Sequence, residues 1–474
     1  MKRQANSLIA GEWTESAGHV DVLNPVDGSV VGVVGYGGAA EARAAADAAA
    51  AAADQWASTP ARLRGDILRR GADLIAERAE EIGVLLATEA GKRRPEAVGE
   101  VRFSAEYFRW FAEEARRPDG SVHPPEDPAR RHMTIRRPAG VVASLTPWNF
   151  PCSIQARKLA PALAAGCTVV ARVSEKAPLA VTEMIRCLAE AGVPDGVLNV
   201  VHGLAAEVTG AYLDHPAVRV VSFTGSTAVG RQIMAKASER VVRPLLELGG
   251  DAPFVVFEDA DVDAAVEGAM LAKFRNTGQS CIAANRFLVH DAVYDEFVTG
   301  LAARIDAMVV GDGLADPVPD LAACIDDERV RAVEAMVTEA VDGGAKKVTA
   351  ERELPSGAFC APSLLVDVPD DAALATEEIF GPAAGVFRFS SEEEALSRAN
   401  NTEMGLAGYF YSRDVARMWR IGERLDVGIV GVNNPLPTVC FAPMGGTKQS
   451  GLGREGGSPG LEEFQEVRYL AVGL

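Results

Sequence analysis

The sequence predicts an α/β protein built on two parallel-sheet units. Three observations predict it. From residue 139 onward, short β-branched runs alternate with helix-length segments, the pattern of parallel strands joined by crossover helices. The chain has 474 residues, too many for one ordinary core, so two or three domains are expected. The rhythm restarts near residue 250, where "PFVVF" follows "LELGG" and opens a second series.

At the N-terminus, "MKRQANSLIAGEWTES" lacks a sustained apolar run, so no secretory leader is expected. Residues 21 to 36 read as short strands and turns, and three helical stretches are expected after them. The run "AAADAAAAAAD" (44–54) is interrupted by Asp47 and Asp54 and reads as a surface helix, not a membrane span. The second stretch opens at "STPAR", with Thr59 placed to cap and Pro60 suited to the first helical position. Its Leu63, Ile67, Leu74, Ile75, Ile82 and Leu86 recur at helical spacing. The Pro- and charge-rich "RRPDGSVHPPEDPARRH" (116–132) breaks that pattern and reads as an excursion away from the core.

The strands expected next are "VVASL" (141–145), "TVVA" (168–171), "VLNVV" (197–201) and "VRVVSF" (218–223). The second unit runs through "PFVVF", a helix from Asp261, "RFLVH" and further elements to about 435, so the two units meet near 247–250. The tail "EFQEVRYLAV" (463–472) reads as a strand that either returns to the first unit or adds to a partner's sheet.

Composition narrows the function classes. The chain is 48% hydrophobic and 24% charged, as in soluble globular proteins. Its net charge of -19 repels phosphate backbones, which argues against nucleic-acid binding. The seven cysteines are odd in number and irregularly spaced, with no CxxC and no HExxH, so neither a disulfide framework nor a metal site is read. A reducing cytoplasm is the expected compartment.

Several short segments carry chemistry. "GLGREG" (451–456) fits G-x-G-x-x-G literally, but it follows a polar loop near the C-terminus instead of a strand. The better phosphate candidate is "FTGSTAVG" (223–230), which follows a strand and opens a helix. There Gly225 would let a ligand approach the backbone, and Ser226 would offer a hydroxyl at the helix N-terminus. "TPWNFP" sets Trp148 and Asn149 just after a strand; "LELGG" sets Glu247 at the junction; "EEIFGP" sets Glu378 and Phe380 in a turn. "NTGQSC" sets Cys281 among small and polar residues, unlike the apolar runs that house structural cysteines. Each segment has a bland alternative: packing for Trp148 and Phe380, a solvated helix end for Glu247, an inert thiol for Cys281. Together, a thiol, a carboxylate, an amide donor and a nucleotide-type turn suit acyl chemistry coupled to a dinucleotide.

In order and spacing, "PWNFP", "FTGST", "LELGG", "FRNTGQSC", "EIFGP" and "GGTKQSGLGREGG" resemble the aldehyde dehydrogenase superfamily from about residue 8 to 472, most closely its succinate semialdehyde dehydrogenases. The resemblance implies that fold: two Rossmann-like domains plus a small β oligomerisation excursion. Residues 1–116 and 138–246 would bind NAD, 247–440 would be catalytic, 117–137 and 459–474 would oligomerise, and 441–458 would be a returning linker. Cys281 would be the nucleophile, Glu247 the general base, and Asn149 an oxyanion donor beside the Cys281 amide.

For the cofactor, Trp148, Gly225 and Ser226 would lie near the pyrophosphate, with Glu378 on the nicotinamide ribose and Phe380 beside the ring. The usual KP(S/A)E appears as Arg172, Val173, Ser174 and Glu175. Glu175 would repel a 2′-phosphate while Arg172 pulls the other way, which favours NAD and leaves NADP as the alternative. Arg157 and Arg275 match the pair that would clamp a distal substrate carboxylate, with Thr438 at the matching serine position. The Pro435-Leu436-Pro437 run beside it departs from the pattern. Ala283 stands where some relatives carry a second cysteine, so no disulfide of that type is expected.

The expected reaction is NAD(P)-dependent oxidation of succinate semialdehyde to succinate by a homodimer or homotetramer, with no nucleic-acid or membrane partner and no metal. Alternatives are another acid-bearing aldehyde such as glutarate semialdehyde, or an aromatic or amino aldehyde. More remote is a cofactor-independent thiol hydrolase, disfavoured because none of the six histidines lies in the motif segments. A non-catalytic relative would have lost Cys281, Glu247 or Asn149, and all three are present.

Overall fold

The computed structural model describes residues 3–16, 18–117 and 120–473. Residues 1, 2, 17, 118, 119 and 474, which fall in the expected NAD-binding and oligomerisation segments, lie outside the described residues.

The first unit is organised on an eight-stranded sheet. Its centre is five parallel strands in the order Arg243–Glu247, Val218–Thr224, Val141–Leu145, Thr168–Arg172, Leu198–Val200. The runs Val141–Leu145 and Thr168–Arg172 are buried at every position, as strands covered by helices on both faces must be. Helices Pro151–Ala165 and Leu179–Glu190 contribute to one core layer; Ala39–Ser58 and Ala205–Asp214 contribute to the other. The sheet continues antiparallel into Ser7–Ile9 and Glu12–Thr14, which the sequence reading had not assigned to strands. At its other edge it takes Gly451–Leu452, so the "GLGREG" run is an antiparallel edge strand and not a strand-to-helix phosphate turn.

Four helices follow the first strands where three were expected. The second expected stretch divides at Arg78 into Ala61–Glu77 and Ala79–Ala90. Thr59 does not cap the second helix: it closes the C-terminus of the first, and its Oγ1 donates to the Gln55 carbonyl at 2.9 Å. Pro60 takes the N-cap position with no side-chain cap bond. Two helices abut here, so one residue ends the first as the next begins the second.

The second unit is a seven-stranded sheet in the order Lys346–Lys347, Ser363–Val366, Ala383–Phe389, Ala284–His290, Ala252–Val256, Ala407–Tyr411, Ile429–Val432. All neighbours are parallel except the first pair. The helix expected from Asp261 is Val262–Phe274, and Asp261 caps it by accepting from the Ala264 amide at 3.1 Å.

The excursion forms the strands Gly120–His123 and Arg130–Pro138. The tail Gln465–Gly473 pairs antiparallel along the whole of the latter. Val122, Val467 and Tyr469 on this three-stranded sheet are exposed. Among the described residues, no helix is long and apolar enough to cross a membrane.

Candidate active site

Cys281 lies in the turn between the helix Val262–Phe274 and the strand Ala284–His290. It is half-buried, as is Cys440; the other five cysteines are buried, and all seven are free. Two cavities share Cys281 in their walls. One, of about 260 Å³, is also lined by Arg157, Arg275, Thr438, Phe150 and Glu96. The other, of about 220 Å³, is lined by Trp148, Asn149, Gly225, Ser226, Glu378 and Phe380, with Arg329. The thiol therefore borders a substrate-sized space containing two arginines and a second space built from the nucleotide-type motifs.

The turn before the thiol is strained. Asn276, Thr277 and Gly278 have φ of 54°, 56° and 73°. Left-handed backbone costs roughly 1–2 kcal/mol for each non-glycine residue, so the surroundings must hold it. They do so with hydrogen bonds from several directions. The Asn276 amide donates to Glu96 Oε1 (3.3 Å), Asn276 Nδ2 to the Asn149 carbonyl (3.0 Å), and Thr277 Oγ1 to the Ala322 carbonyl (3.1 Å). Gln279 Oε1 accepts from the Ile325 amide at 2.9 Å. At Gly278 a Cβ would sit 2.2 Å from the Gly381 carbonyl oxygen, and at Gly250 a Cβ would sit 2.2 Å from that of Cys281. The glycines of "NTGQSC" and "LELGG" thus allow the thiol turn, the "EIFGP" turn and the domain junction to meet.

Burial pushes the Cys281 thiol up to about 12; Glu378 and Glu247 add to the shift, and Arg157 opposes it. Its own backbone amide points at the sulfur and favours the thiolate. Asn149 is buried, and its Nδ2 donates to the Gln279 carbonyl at 3.2 Å.

Glu247 ends its strand, buried, and neither carboxylate oxygen has a hydrogen-bond partner. Burial, then the nearby Glu455, pushes it up to about 8, while Arg157 and Lys158 pull it down. Glu455 was not found by sequence reasoning. It lies in the "GLGREG" run set aside as a nucleotide motif, is 4% exposed, and pairs with Lys158 and with Arg157 (3.6 Å). Lys158 also reaches Ser222 Oγ at 3.0 Å. Burial of a charged pair contributed by distant segments leaves no local sequence signal.

Glu378 Oε1 accepts from the Gly250 amide at 3.2 Å, and burial pushes its carboxyl up to about 7. Trp148 and Phe380 meet edge to face, with centroids 5.4 Å apart. Ser226 caps the helix Thr227–Ser238, its side chain accepting from the Val229 amide. Gly225 lines the cavity, but a Cβ there would strike the Phe223 ring at 2.4 Å, so its own neighbour already accounts for the glycine.

Arg172, Ser174 and Glu175 are not among the residues lining these two cavities. Arg172, at the end of its strand, pairs with Glu175 and donates through Nε and Nη2 to the Gly203 carbonyl at 3.4 and 3.3 Å. Ser174 is buried and accepts from the Lys176 amide at 3.3 Å. Among the clamp candidates, Arg157 is buried and ion-paired, while Arg275 lies over the Phe150 ring at 5.3 Å. Glu96 and Arg329, which the sequence motifs do not include, also line these cavities; both sit in charged helical stretches with no local signal to single them out.

Residues 13–470 match the aldehyde dehydrogenase family. Among characterised relatives, the chain is 44% identical to the succinate-semialdehyde dehydrogenase [NADP(+)] of Escherichia coli, covering 99% of this chain and 98% of the relative. It is equally similar, at 44%, to the glutarate-semialdehyde dehydrogenase of Pseudomonas aeruginosa, covering 98% and 97%. Among solved structures, the succinate-semialdehyde dehydrogenase from Burkholderia pseudomallei superposes with a TM-score of 0.97 at 43% identity, covering 100% of this chain and 98% of that one. A betaine aldehyde dehydrogenase from Staphylococcus aureus in complex with NAD+ gives 0.95 at 32% identity, covering 99% and 94%.

Proposed function

The chain belongs to the aldehyde dehydrogenase family, and from that premise we propose that it oxidises succinate semialdehyde to succinate through Cys281, using NAD in preference to NADP. The observation that carries the reading is that Cys281 walls two cavities at once, one with arginines and one with nucleotide-type motifs.

Cys281 Sγ attacks the aldehyde carbon and loses its proton to Glu247, giving a thiohemiacetal oxyanion. The second N–H of Asn149 Nδ2 and the Cys281 amide stabilise that charge; one such donor is worth about 3 kcal/mol. A nicotinamide held beside Cys281 would supply the acceptor for the hydride that must leave the same carbon, and loss of that hydride leaves a Cys281 thioester. Glu247 first releases the proton it took from Cys281 to solvent, then takes one from water as the water attacks the thioester; the tetrahedral intermediate expels the Cys281 sulfur, Glu247 returns its proton to that sulfur, and the acid departs. Lys158 and Glu455 beside Glu247 offer its proton a charged, buried neighbourhood.

The dinucleotide fits the residues present. Ser226 offers a helix N-terminus and Trp148 and Phe380 offer ring faces, while Glu378 offers a carboxylate and Arg329 a buried Nε with no hydrogen-bond partner. Glu175, already paired with Arg172, disfavours a further phosphate there. Residues 3–116 and 138–246 would hold the cofactor and 247–440 the thiol. Glutarate semialdehyde is the second reading, because relatives of both names are equally similar. The exposed face of the excursion and tail supports a homo-oligomer.

A spectrophotometric panel of succinate semialdehyde, glutarate semialdehyde, a neutral aldehyde of equal length and an aromatic aldehyde tests this reading. NADH formation should favour the acid-bearing compounds; preference for the neutral one overturns the arginine clamp.

A further inference from the structure

Arg329 is a cation in the cofactor-side cavity that the catalytic chemistry leaves unused. It lies in the first turn of the helix Asp327–Asp342, whose N-cap Asp326 accepts from the Arg329 amide at 2.9 Å, so its backbone is fixed. Its side chain lines the same cavity as Ser226, Glu378 and Cys281. Its Nε is buried and meets no acceptor, and among the described residues its guanidinium is in no ion pair. Glu378 lines that cavity too, but it receives the Gly250 amide instead. A buried donor left unmet costs about 1–3 kcal/mol, so the position makes physical sense once an acceptor enters the cavity.

The nature of that acceptor follows from charge. The helix N-terminus at Ser226 and the guanidinium of Arg329 come from different domains and border one space, and both favour an anion. In a nicotinamide dinucleotide, the anionic group shared by NAD and NADP is the pyrophosphate. Resting on the proposed dinucleotide-dependent reaction, we infer that Arg329 is a cofactor-binding residue: its guanidinium grips the pyrophosphate from the thiol-bearing domain, opposite in origin to the Ser226 helix. The dinucleotide is then held by both domains, and the nicotinamide half is fixed beside Cys281.

The test compares wild type, R329Q and R329K by isothermal titration calorimetry with NADH, ADP-ribose and AMP. ADP-ribose keeps the pyrophosphate without the nicotinamide; AMP keeps only the adenosine side with a single phosphate. R329Q should bind NADH and ADP-ribose about tenfold or more weakly, the scale of one charge-assisted contact, with AMP affinity and melting temperature unchanged. R329K should recover part of the loss, and KM for NAD should rise while KM for the aldehyde stays near wild type. Equal weakening of AMP, or unchanged NADH affinity in R329Q, overturns the inference. So does a loss that disappears in an E378Q background, which would show that Arg329 acts only through Glu378. If wild type binds no dinucleotide at all, it is the dehydrogenase reading itself that fails.

Discussion

The side-chain amide of Asn149 donates to the main-chain carbonyl of Gln279 at 3.2 Å, tying the loop after the strand Val141–Leu145 to the residue two before the thiol. One N–H of that NH2 is thereby used for position and the other is left for a developing oxyanion. Asn149→Ala should lower kcat by roughly 10²–10³-fold, the usual cost of one oxyanion donor. NADH affinity measured by fluorescence should change little. A kcat within a few-fold of wild type would remove Asn149 from the chemistry.

Cys281 and Cys440 are the two half-buried thiols. Brief iodoacetamide treatment of the native protein, read by peptide mass spectrometry, should label these two before the buried five. Activity loss should follow labelling at Cys281 alone. Cys281→Ala should abolish turnover and retain NADH binding; residual aldehyde oxidation would transfer the nucleophile elsewhere.

Glu247 sets a pH dependence. Burial raises its carboxyl to about 8, and it acts as a base only when deprotonated. Below pH 8 the protonated fraction grows, so thioester hydrolysis should slow about tenfold per pH unit well below that value and level off above it. Single-turnover release of the acid from pH 6 to 9.5 measures this. Glu247→Gln should be slow and flat across the range.

The two candidate clamp arginines should separate. Arg275 lies over Phe150 and, among the described residues, is in no ion pair, so Arg275→Gln should raise KM for succinate semialdehyde about tenfold or more and leave a neutral aldehyde near wild type. Arg157 is buried with its Nε 3.6 Å from Glu455, and breaking a buried pair costs about 3–5 kcal/mol. Arg157→Gln should therefore also lower the melting temperature. If calorimetry finds it as stable as wild type, the pair carries no structural weight.

Glu175 pairs with Arg172. Glu175→Ser removes the carboxylate that opposes a 2′-phosphate and frees the guanidinium, so the ratio of kcat/KM for NADP over NAD should rise several-fold. No change in that ratio would place cofactor selection outside this pair.

The sequence by itself determined the parallel strands from residue 141 onward and the motifs around Cys281, Glu247, Asn149 and Glu378. β-branched runs and glycine-bounded turns are local signals, and their order along the chain survives folding. It also located the excursion and the pairing-competent tail. Only the tertiary structure decided where helices abut, as at Thr59 and Arg78, because packing sets a boundary that propensity leaves open. It alone brought Glu455 from a nominal nucleotide motif to Lys158 and the neighbourhood of Glu247, and Arg329 from a charged helix to the cavity lined by Ser226, Glu378 and Cys281. Those placements depend on contacts between residues some 300 positions apart in one case and between elements of the two large sheet units in the other, and burial of a charge is a property of the fold that no neighbouring residue records.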